Sequence, residues 1–469
     1  MSAVTVLRSR KAQYLGAVFS TALVMALGSV DAEAMSLKDA ISLVITTNPD
    51  VGIVVKDRRA IDHELRQAWG LYYPQIDTRL DAGPEFSENS TTDLGSVTTN
   101  QGAHDKGRWL FRSDAQITLQ QRIFDGFEAA SEVQRQKARV KSAAERIQDQ
   151  AEVSGLDATD QYLKILRDRA RLTNAEDNIK KHEETLGLVQ KRAELGGGNV
   201  ADVSQAEARL ATARSTYIDI QGTLREDETK FLQIIGVPAG DLDPVTLDAS
   251  VVPENVDLSV ARALDTNPKV RLAKYDVERS DAEVRQQEAS LYPTLNFETI
   301  ASSNHHNNGR EDTTYNAQFL LVLRYNVYRG GADIARVKEF KERRSEALET
   351  LRAAEREVEQ EVRSSWAVRQ TQRESIESLE KQVAANQQTF DGYVQQFDIG
   401  QRGLLDVLDA ANELFTSNDQ LILAKNEELF ANYRILAAQG QLVESLGLSY
   451  PLEGTPGPVD YEANKAVDE

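Results

Sequence analysis

The stretch that decides the fold is Thr-Asn-Pro-Asp-Val at residues 47–51, because it returns as Thr-Asn-Pro-Lys-Val at residues 266–270. The two copies then stay in register, displaced by 219 residues, as far as the Tyr-Pro pairs at residues 73–74 and 292–293. Self-similarity over such a distance indicates a tandem duplication of one structural unit. Each inference about one copy can therefore be compared with the other.

The first copy is the longer one. Beyond the Tyr-Pro pairs the displacement falls from 219 to 204 residues, so that Phe-Asp-Gly at residues 124–126 corresponds to Tyr-Arg-Gly at residues 328–330. The extra residues belong to Glu85–Lys106, which is rich in Ser, Thr, Asn and Gly. This composition predicts an extended surface loop.

Each copy begins with a predicted short helix, which starts near Leu37 in the first copy and near Leu258 in the second. We expect it to run past the Asn-Pro pair and to end at Pro74 or Pro293, because proline disfavours helical backbone at the residue before it. Two segments of alternating polarity follow, and a period of two predicts strands. Their charged faces suit a water-filled lumen better than a packed core. The predicted strands include residues 76–82, 111–123, 295–298 and 315–325.

A very long helical hairpin completes each copy. Residues 126–193 and 331–397 contain no proline, and small or apolar residues recur in them at three- and four-residue spacing. Some 65 helical residues span roughly 100 Å. Glycine turns follow, and returning helices are predicted at residues 200–235 and 404–446.

The N-terminus has the pattern of a secretory signal peptide. Arg8, Arg10 and Lys11 precede an apolar stretch, and Ala-Glu-Ala at residues 32–34 is a cleavage site. The predicted division of the chain is a signal peptide at 1–34, a first repeat at 35–236, a linker at 237–257, a second repeat at 258–448 and an acidic flexible tail at 449–469.

Composition excludes several classes of function. The 469 residues include no cysteine, which excludes disulfides and thiolate chemistry. A net charge of -20 makes an exported chain a poor nucleic-acid binder. No segment carries a zinc-hydrolase or phosphate-loop motif, and His305-His306 fits a polar extracellular loop better than a metal site. We predict that the protein is not an enzyme and has no cofactor or metal.

The four strands predict oligomerisation. No stretch after the signal peptide is apolar enough for a transmembrane helix, so membrane insertion would use strands. Four strands with open edges would leave backbone groups unpaired in lipid, and three copies would supply twelve strands. The predicted fold class is mainly α with a β membrane part: long helical hairpins that form a trimeric periplasmic tunnel, and four strands per chain in a 12-stranded outer-membrane barrel.

Residues 400–410, Gly-Gln-Arg-Gly-Leu-Leu-Asp-Val-Leu-Asp-Ala, together with the duplicated Asn-Pro and Tyr-Pro units, resemble the TolC family of outer-membrane efflux proteins. Residues 198–210 and Asn-Glu-Leu-Phe at 412–415 resemble its type I secretion branch. The resemblance covers Leu37 to about Leu448, nearly the whole exported chain.

The resemblance implies a passive exit duct for secreted proteins. It implies a homotrimer in the cell outer membrane, surrounded by outer-membrane lipid and extending into the periplasm. The implied partners are a periplasmic membrane-fusion adaptor and an inner-membrane ABC exporter. One alternative is the exit duct of a multidrug efflux pump, driven by an RND pump. A second alternative, from another class, is a periplasmic coiled-coil scaffold without a pore.

The resemblance also assigns the periplasmic entrance. Asp406 and Asp409 would form an acidic ring, with three copies of each. Arg402 would belong to a latch network with Asp202, and Phe397 stands where the family can have a latch tyrosine. Spacing alone leaves open that the two aspartates are ordinary carboxylates near a helix N-terminus. The glycine turns are the predicted partner-docking tip: Gly196, Gly197, Gly198, Gly400 and Gly403.

Overall fold

The computed structural model describes residues 34–89, 92, 107–247, 252–253 and 255–457. Apart from Ala34, the predicted signal peptide lies outside the described residues. Most of the loop predicted at Glu85–Lys106 lies outside them too, as does the predicted tail from residue 458 onward.

Both repeats have the same order of elements, namely two short helices, two strands and a long helical hairpin. The first repeat consists of α1 (Leu37–Thr47), α2 (Pro49–Gly70), β1 (Gln75–Ser87), β2 (Arg108–Phe124), α3 (Glu128–Glu194) and α4 (Val200–Ile235). The second consists of α5 (Val256–Thr266), α6 (Pro268–Glu288), β3 (Thr294–His305), β4 (Thr313–Arg324), α7 (Ala332–Asp398), α8 (Leu404–Ala438) and the short α9 (Leu442–Ser445).

The Asn-Pro pair separates two helices, whereas the sequence predicted a single short helix through it. Asn48 has an extended backbone, ends α1 and caps α2, and its side chain accepts a hydrogen bond from the Asp50 N–H at 2.8 Å. Proline at the first helical position loses no bond, because that N–H has no partner within the helix. The Asn48 amide also donates to the Ile234 carbonyl at 3.1 Å, and Asn267 donates to the Ala438 carbonyl at 2.8 Å. Each asparagine therefore ties the short helices to the end of the returning long helix.

The two long helices, α3 and α7, each contain 67 residues, which corresponds to about 100 Å. Their predicted lengths are close to those observed. The returning helix α8 is shorter than predicted, since it ends at Ala438 and not at residue 446. Gly440 causes this: it has a φ of +64°, and a Cβ at that position would lie 2.5 Å from Pro268 Cδ.

The four strands form one antiparallel sheet in the order β1-β2-β3-β4. Among the described residues, β1 and β4 are its outer strands. The pairing places Ile76 opposite Leu119, Leu119 opposite Thr299, and Thr299 opposite Phe319. The central strands therefore join the two repeats through the β2–β3 pair.

The sheet has two chemically different faces, because alternate side chains of a strand point to opposite sides. On one face, β1 and β2 carry charged side chains such as Asp77, Arg79 and Arg112, and Arg112 lies 3.2 Å from Glu85. The other face is apolar and carries these exposed side chains: Ile76, Leu80, Phe86, Trp109, Phe111, Ile117, Phe319, Leu321 and Leu323.

Among the described residues, no helix has both the length and the apolar composition needed to cross a membrane.

The main hydrophobic core lies half-way along the long helices, where the short helices and the chain end pack against them. Ile41 of α1, Tyr162 of α3, Phe231 of α4 and Leu436 of α8 are all fully buried there. The Tyr162 hydroxyl lies 2.7 Å from the Met35 carbonyl and 2.8 Å from the Asp243 carbonyl. Part of the linker between the repeats is thus held against the core.

The chain end packs against the first repeat as far as Gly457, which corrects the flexible tail predicted from residue 449. We call residues 450–457 the strap. Tyr450 donates a 2.6 Å hydrogen bond to Glu152, and Arg58 donates to the Gly457 carbonyl at 3.0 Å. The acidic composition misled the prediction, because Glu453 has a partner in Arg59 at 2.8 Å and is buried.

Glu152 is the buried centre of this contact. Its carboxylate accepts the Leu442 and Val443 N–H groups at 2.9 and 3.1 Å, besides the Tyr450 hydroxyl. Burial raises the pKa of Glu152 to about 7, and the bonds from Tyr450 and the two N–H groups offset only part of this rise. The exposed Glu444 carboxylate adds to the rise.

We predict that Glu152 makes the fold less stable as the pH rises towards neutrality. Between pH 4.5, the ordinary value, and about 7 the folded chain binds more protons than the unfolded chain. The stabilisation that the Glu152 carboxyl contributes to the fold is therefore complete below pH 4.5 and is lost as the pH rises to about 7. The loss in the free energy of unfolding is at most about 3 kcal/mol. Thermal unfolding in detergent at pH 4.5–7.5 should show this slope largely lost in Glu152→Gln and only slightly reduced in Glu444→Gln, because Glu444 makes the smallest contribution to the raised pKa. A slope equal in Glu152→Gln and wild type would contradict it.

Candidate functional site: the tip of the helical hairpins

The two helical hairpins end in glycine turns, which we call the tip (residues 195–200 and 399–405). Gly196 and Gly400 each have a φ of +79°, a conformation that other residues rarely adopt. Gly198 is required for a different reason, since a Cβ there would lie 2.8 Å from the Ala193 nitrogen. Gly197 and Gly403 have ordinary φ values, and a Cβ added to either would come no closer than 3.7 Å to another atom of the described residues.

Apolar side chains project from both turns. Leu195 is 80% exposed and Val200 is 78% exposed, while the second turn exposes Ile399 and Leu405. Such side chains cost free energy in water unless a partner covers them. The repeat places two of them at equivalent positions, since residue 195 corresponds to residue 399.

Arg402 is held by its own hairpin. Its guanidinium lies 4.0 Å from the centre of the Tyr393 ring, and its Nε donates to Gln396 at 3.1 Å. Its Nη1 lies 3.5 Å from the Asp406 carboxylate, one helical turn further on. Asp202 lies half-buried in the first turn of α4 and makes no ion pair within the described part of the chain. Within one chain the predicted Arg402–Asp202 contact is therefore absent, and Asp406 takes its place.

Phe397 is buried and belongs to the apolar cluster beneath the tip, with Leu404, Val407 and Leu408. The Arg192 guanidinium lies 5.4 Å from the centre of its ring. Arg192 also donates a long hydrogen bond, 3.5 Å, to the Phe397 carbonyl. Because Arg192 lies in the last turn of α3, this contact joins the first hairpin to the second.

Asp406 and Asp409 lie on one face of α8, as their spacing predicts. Both side chains are about half exposed. Asp409 pairs with Arg209 of α4 at 3.2 Å, a second contact between the hairpins. Each aspartate therefore has an arginine beside it, which reduces the local negative charge below what the sequence alone suggested.

A buried histidine lies near Arg209. His182 of α3 is 4% exposed, and its Nδ1 has no hydrogen-bond partner among the described residues. Burial, and to a smaller extent the Arg209 charge, lower the pKa of His182 below its ordinary value. The ring is therefore neutral at neutral pH.

The sequence did not identify Tyr393, Arg192 or Arg209. Tyr393 precedes Phe397 by four residues, so the helical period could have placed it on the same face. Arg209 stands in a run that was recognised only for its family resemblance. No signal in one sequence shows that Arg192 and Arg209 reach across to the other hairpin, because that contact depends on how the hairpins pack.

The fold and its tip define a class of protein. This class is a channel that combines a sheet with one apolar and one charged face and a shaft of long helical hairpins. Comparison with known proteins assigns the family. The model of the family described as outer membrane efflux protein matches residues 40–237 and 260–441. The chain belongs to this family, as the sequence resemblance indicated, and is an outer-membrane channel protein extending into the periplasm, not an enzyme.

Relatives and solved structures support the assignment. The outer membrane efflux protein BepC of Brucella suis is 26% identical over 76% of this chain and 78% of its own length. The proteases secretion protein PrtF of Dickeya chrysanthemi is 23% identical over 90% of this chain and 92% of its own. The outer membrane channel CmeC of Campylobacter jejuni superposes with a TM-score of 0.73 at 12% identity, over 98% of this chain and 99% of that one. This similarity confirms the predicted fold of the single chain, long helical hairpins joined to four strands.

We predict that Arg192→Ala/Arg209→Ala increases the single-channel conductance in a planar bilayer. These arginines make charged contacts between the hairpins close to the tip, and exposed contacts of this kind are each worth about 0.5–1 kcal/mol. Their loss should let the hairpins separate at the tip. The matched control is Arg214→Ala, because the Arg214–Glu183 pair of 2.8 Å joins helices of the same hairpin. Equal conductance in the double variant and in the control would contradict the prediction.

Proposed function

We propose that the protein is a homotrimeric, passive exit duct. The observation that carries this proposal is the sheet of four strands with an apolar face, a charged face and two outer strands, joined to helices about 100 Å long. Three such sheets would close a twelve-stranded barrel in the outer membrane. The helical hairpins would surround the same axis as a periplasmic tunnel, with the charged sheet face towards the lumen.

The tip would be the periplasmic entrance and the docking surface for partners. Its exposed Leu195, Val200, Ile399 and Leu405 suit contact with an apolar surface, which a membrane-fusion adaptor would supply. The partner that supplies energy would be an inner-membrane ABC exporter. The acidic ring of Asp406 and Asp409, with Arg402 and Asp202 in a latch between neighbouring subunits, remains part of this proposal.

We favour secretion of proteins by the type I route. Support comes from the similarity to the proteases secretion protein PrtF, which extends over nearly all of both chains. Residues 198–210 and 412–415 carry the same resemblance. The second candidate is drug efflux with an RND pump, which the similarity to the efflux protein BepC supports.

We predict that Asp406→Asn/Asp409→Asn lowers the preference of the channel for cations over anions. Carboxylates around a narrow mouth concentrate cations, and the substitution keeps their size. The measurement is the reversal potential in a salt gradient across a planar bilayer. Glu377→Gln/Glu380→Gln removes the same charge from exposed positions on α7, each paired with a lysine, and should leave the potential unchanged. If both double variants shift it equally, the entrance assignment is wrong.

We predict that deletion of the gene abolishes the release of a type I substrate protein into the medium and leaves drug sensitivity unchanged. The wild-type gene should restore release, whereas Leu195→Asp/Ile399→Asp should not, because charges at the tip would oppose apolar docking. Ile218→Asp, at a 63% exposed position on the shaft, is the matched control.

Two outcomes would reject parts of this proposal. Increased drug sensitivity with normal protein release would favour the efflux pump. Full restoration of release by the tip variant would mean that partners dock elsewhere.

A further inference from the structure

The first repeat meets the second through a close contact at the foot of the β2–β3 pair. Gly126 follows β2 and has a φ of +68°. A Cβ on Gly126 would lie 2.6 Å from the Ala289 carbonyl oxygen and 2.9 Å from Tyr292 Cβ. We call this arrangement the glycine–tyrosine junction. It requires a glycine on one side and the segment before β3 on the other.

The second repeat has the same glycine without the contact. Gly330 corresponds to Gly126 at the displacement of 204, and its φ is +63°. A Cβ on Gly330 would meet no atom of the described residues within 4 Å. The residues that correspond to Ala289 and Tyr292, at the displacement of 219, are Gly70 and Tyr73. Tyr73 is 69% exposed.

The segment before Gly330 also differs from the equivalent segment before Gly126. The last four residues of β2, 121–124, lie in the strand, but their equivalents 325–328 follow the end of β4. Val327 and Tyr328 are more than three-quarters exposed.

We propose that the segment before β1 of a second copy of this chain fills this place and repeats the glycine–tyrosine junction between subunits. Tyr73 of the second copy packs against Gly330, and β4 continues through Tyr328 beside β1. The proposal rests on the trimer proposed above and assigns its contact residues. It follows from the duplication. The tyrosine before β1 and the glycine after β4 are equivalent to the tyrosine before β3 and the glycine after β2, which form the junction in the middle of the sheet.

The register of the strands supports this arrangement. Transferring the β2–β3 register to β4 and a second β1 converts the pair Leu119–Thr299 into Leu323 opposite Leu80. Both leucines lie on the apolar face, and both are at least 66% exposed in the single chain. A slip of one residue would place leucine against the charged face. In this register the apolar side chains of β4 and of the second copy's β1 therefore lie on the same face of the sheet.

A polar contact beside the junction is transferable as well. Gln286 donates to Glu132 at 3.0 Å within the chain. The equivalent residues are Gln67 and Arg336, both exposed, and an amide oxygen accepts from a guanidinium. Higher along the helices the Ser142–Asp276 bond corresponds to Glu346 and Asp57, two carboxylates. The inferred contact is therefore confined to the foot of the sheet.

Disulfide formation tests the register directly, because the chain contains no cysteine. The trimer of Leu80→Cys/Leu323→Cys, oxidised in detergent, should run as covalent dimers and trimers on a non-reducing gel. Residues directly opposite in a sheet have Cβ atoms about 5 Å apart, within reach of a bridge after small adjustment. Pro84→Cys/Leu323→Cys, four residues along the same strand and face, should give at least about tenfold less product.

Tyr73→Ala tests the junction itself. It should lower the fraction of trimer in detergent about tenfold, as expected for a buried interface tyrosine. Tyr72→Ala is the matched control, because the Tyr72 ring already packs against Trp69 of its own chain, with 5.6 Å between the ring centres. A trimer by light scattering that gives no Leu80–Leu323 bridge, or that tolerates Tyr73→Ala as well as Tyr72→Ala, overturns the junction but leaves the duct. Absence of any trimer in wild type rejects the proposed duct.

Discussion

The rest of the structure depends on the need of every backbone N–H and C=O group for a partner once water is excluded. The helices meet this need internally, but the sheet does not, because β1 and β4 are its outer strands in the described chain. A sheet with one apolar face and two such edges is suited to lipid only in a larger assembly. The difference between β2 and β4 illustrates the point: corresponding residues are strand where a neighbour pairs with them and irregular where none does.

The Asn-Pro pairs solve the same problem at the middle of the molecule. Two short helices meet there at an angle, and each asparagine side chain serves the broken backbone in two ways. It accepts the first free N–H of the following helix, and its amide reaches the last turn of a returning long helix. Since one residue connects three helices, the pair positions each short-helix unit against its hairpin. This explains why the sequence repeats these two residues together.

The sequence predicted the elements better than their connections. The long helices were predictable because a 67-residue helix has a strong period and no proline. The strands were predictable from their alternation. The break at Asn48 was missed because proline was used as a stop signal only at Pro74 and Pro293, whereas the Asn-Pro pair also matches a capping residue followed by the first residue of a new helix. The strap was missed because its one acidic residue, Glu453, has a partner distant in sequence, Arg59. At the tip the aspartates were placed correctly on one face, but Arg209, which lies across from Asp409, depends on packing between hairpins.

Arg402 and Arg209 bear on how the proposed entrance would behave. A ring made only of carboxylates would repel itself as it narrowed, and the cost would rise as the charges left water. In this chain Arg402 lies beside Asp406 and Arg209 beside Asp409, so each carboxylate can approach its equivalents with part of its charge offset. The two arginines differ in attachment. Arg402 belongs to the same helical hairpin as its aspartate and moves with it, whereas Arg209 belongs to the other hairpin. Separation of the hairpins would therefore remove the partner of Asp409 and leave that of Asp406, so the entrance would become more negative as it opened.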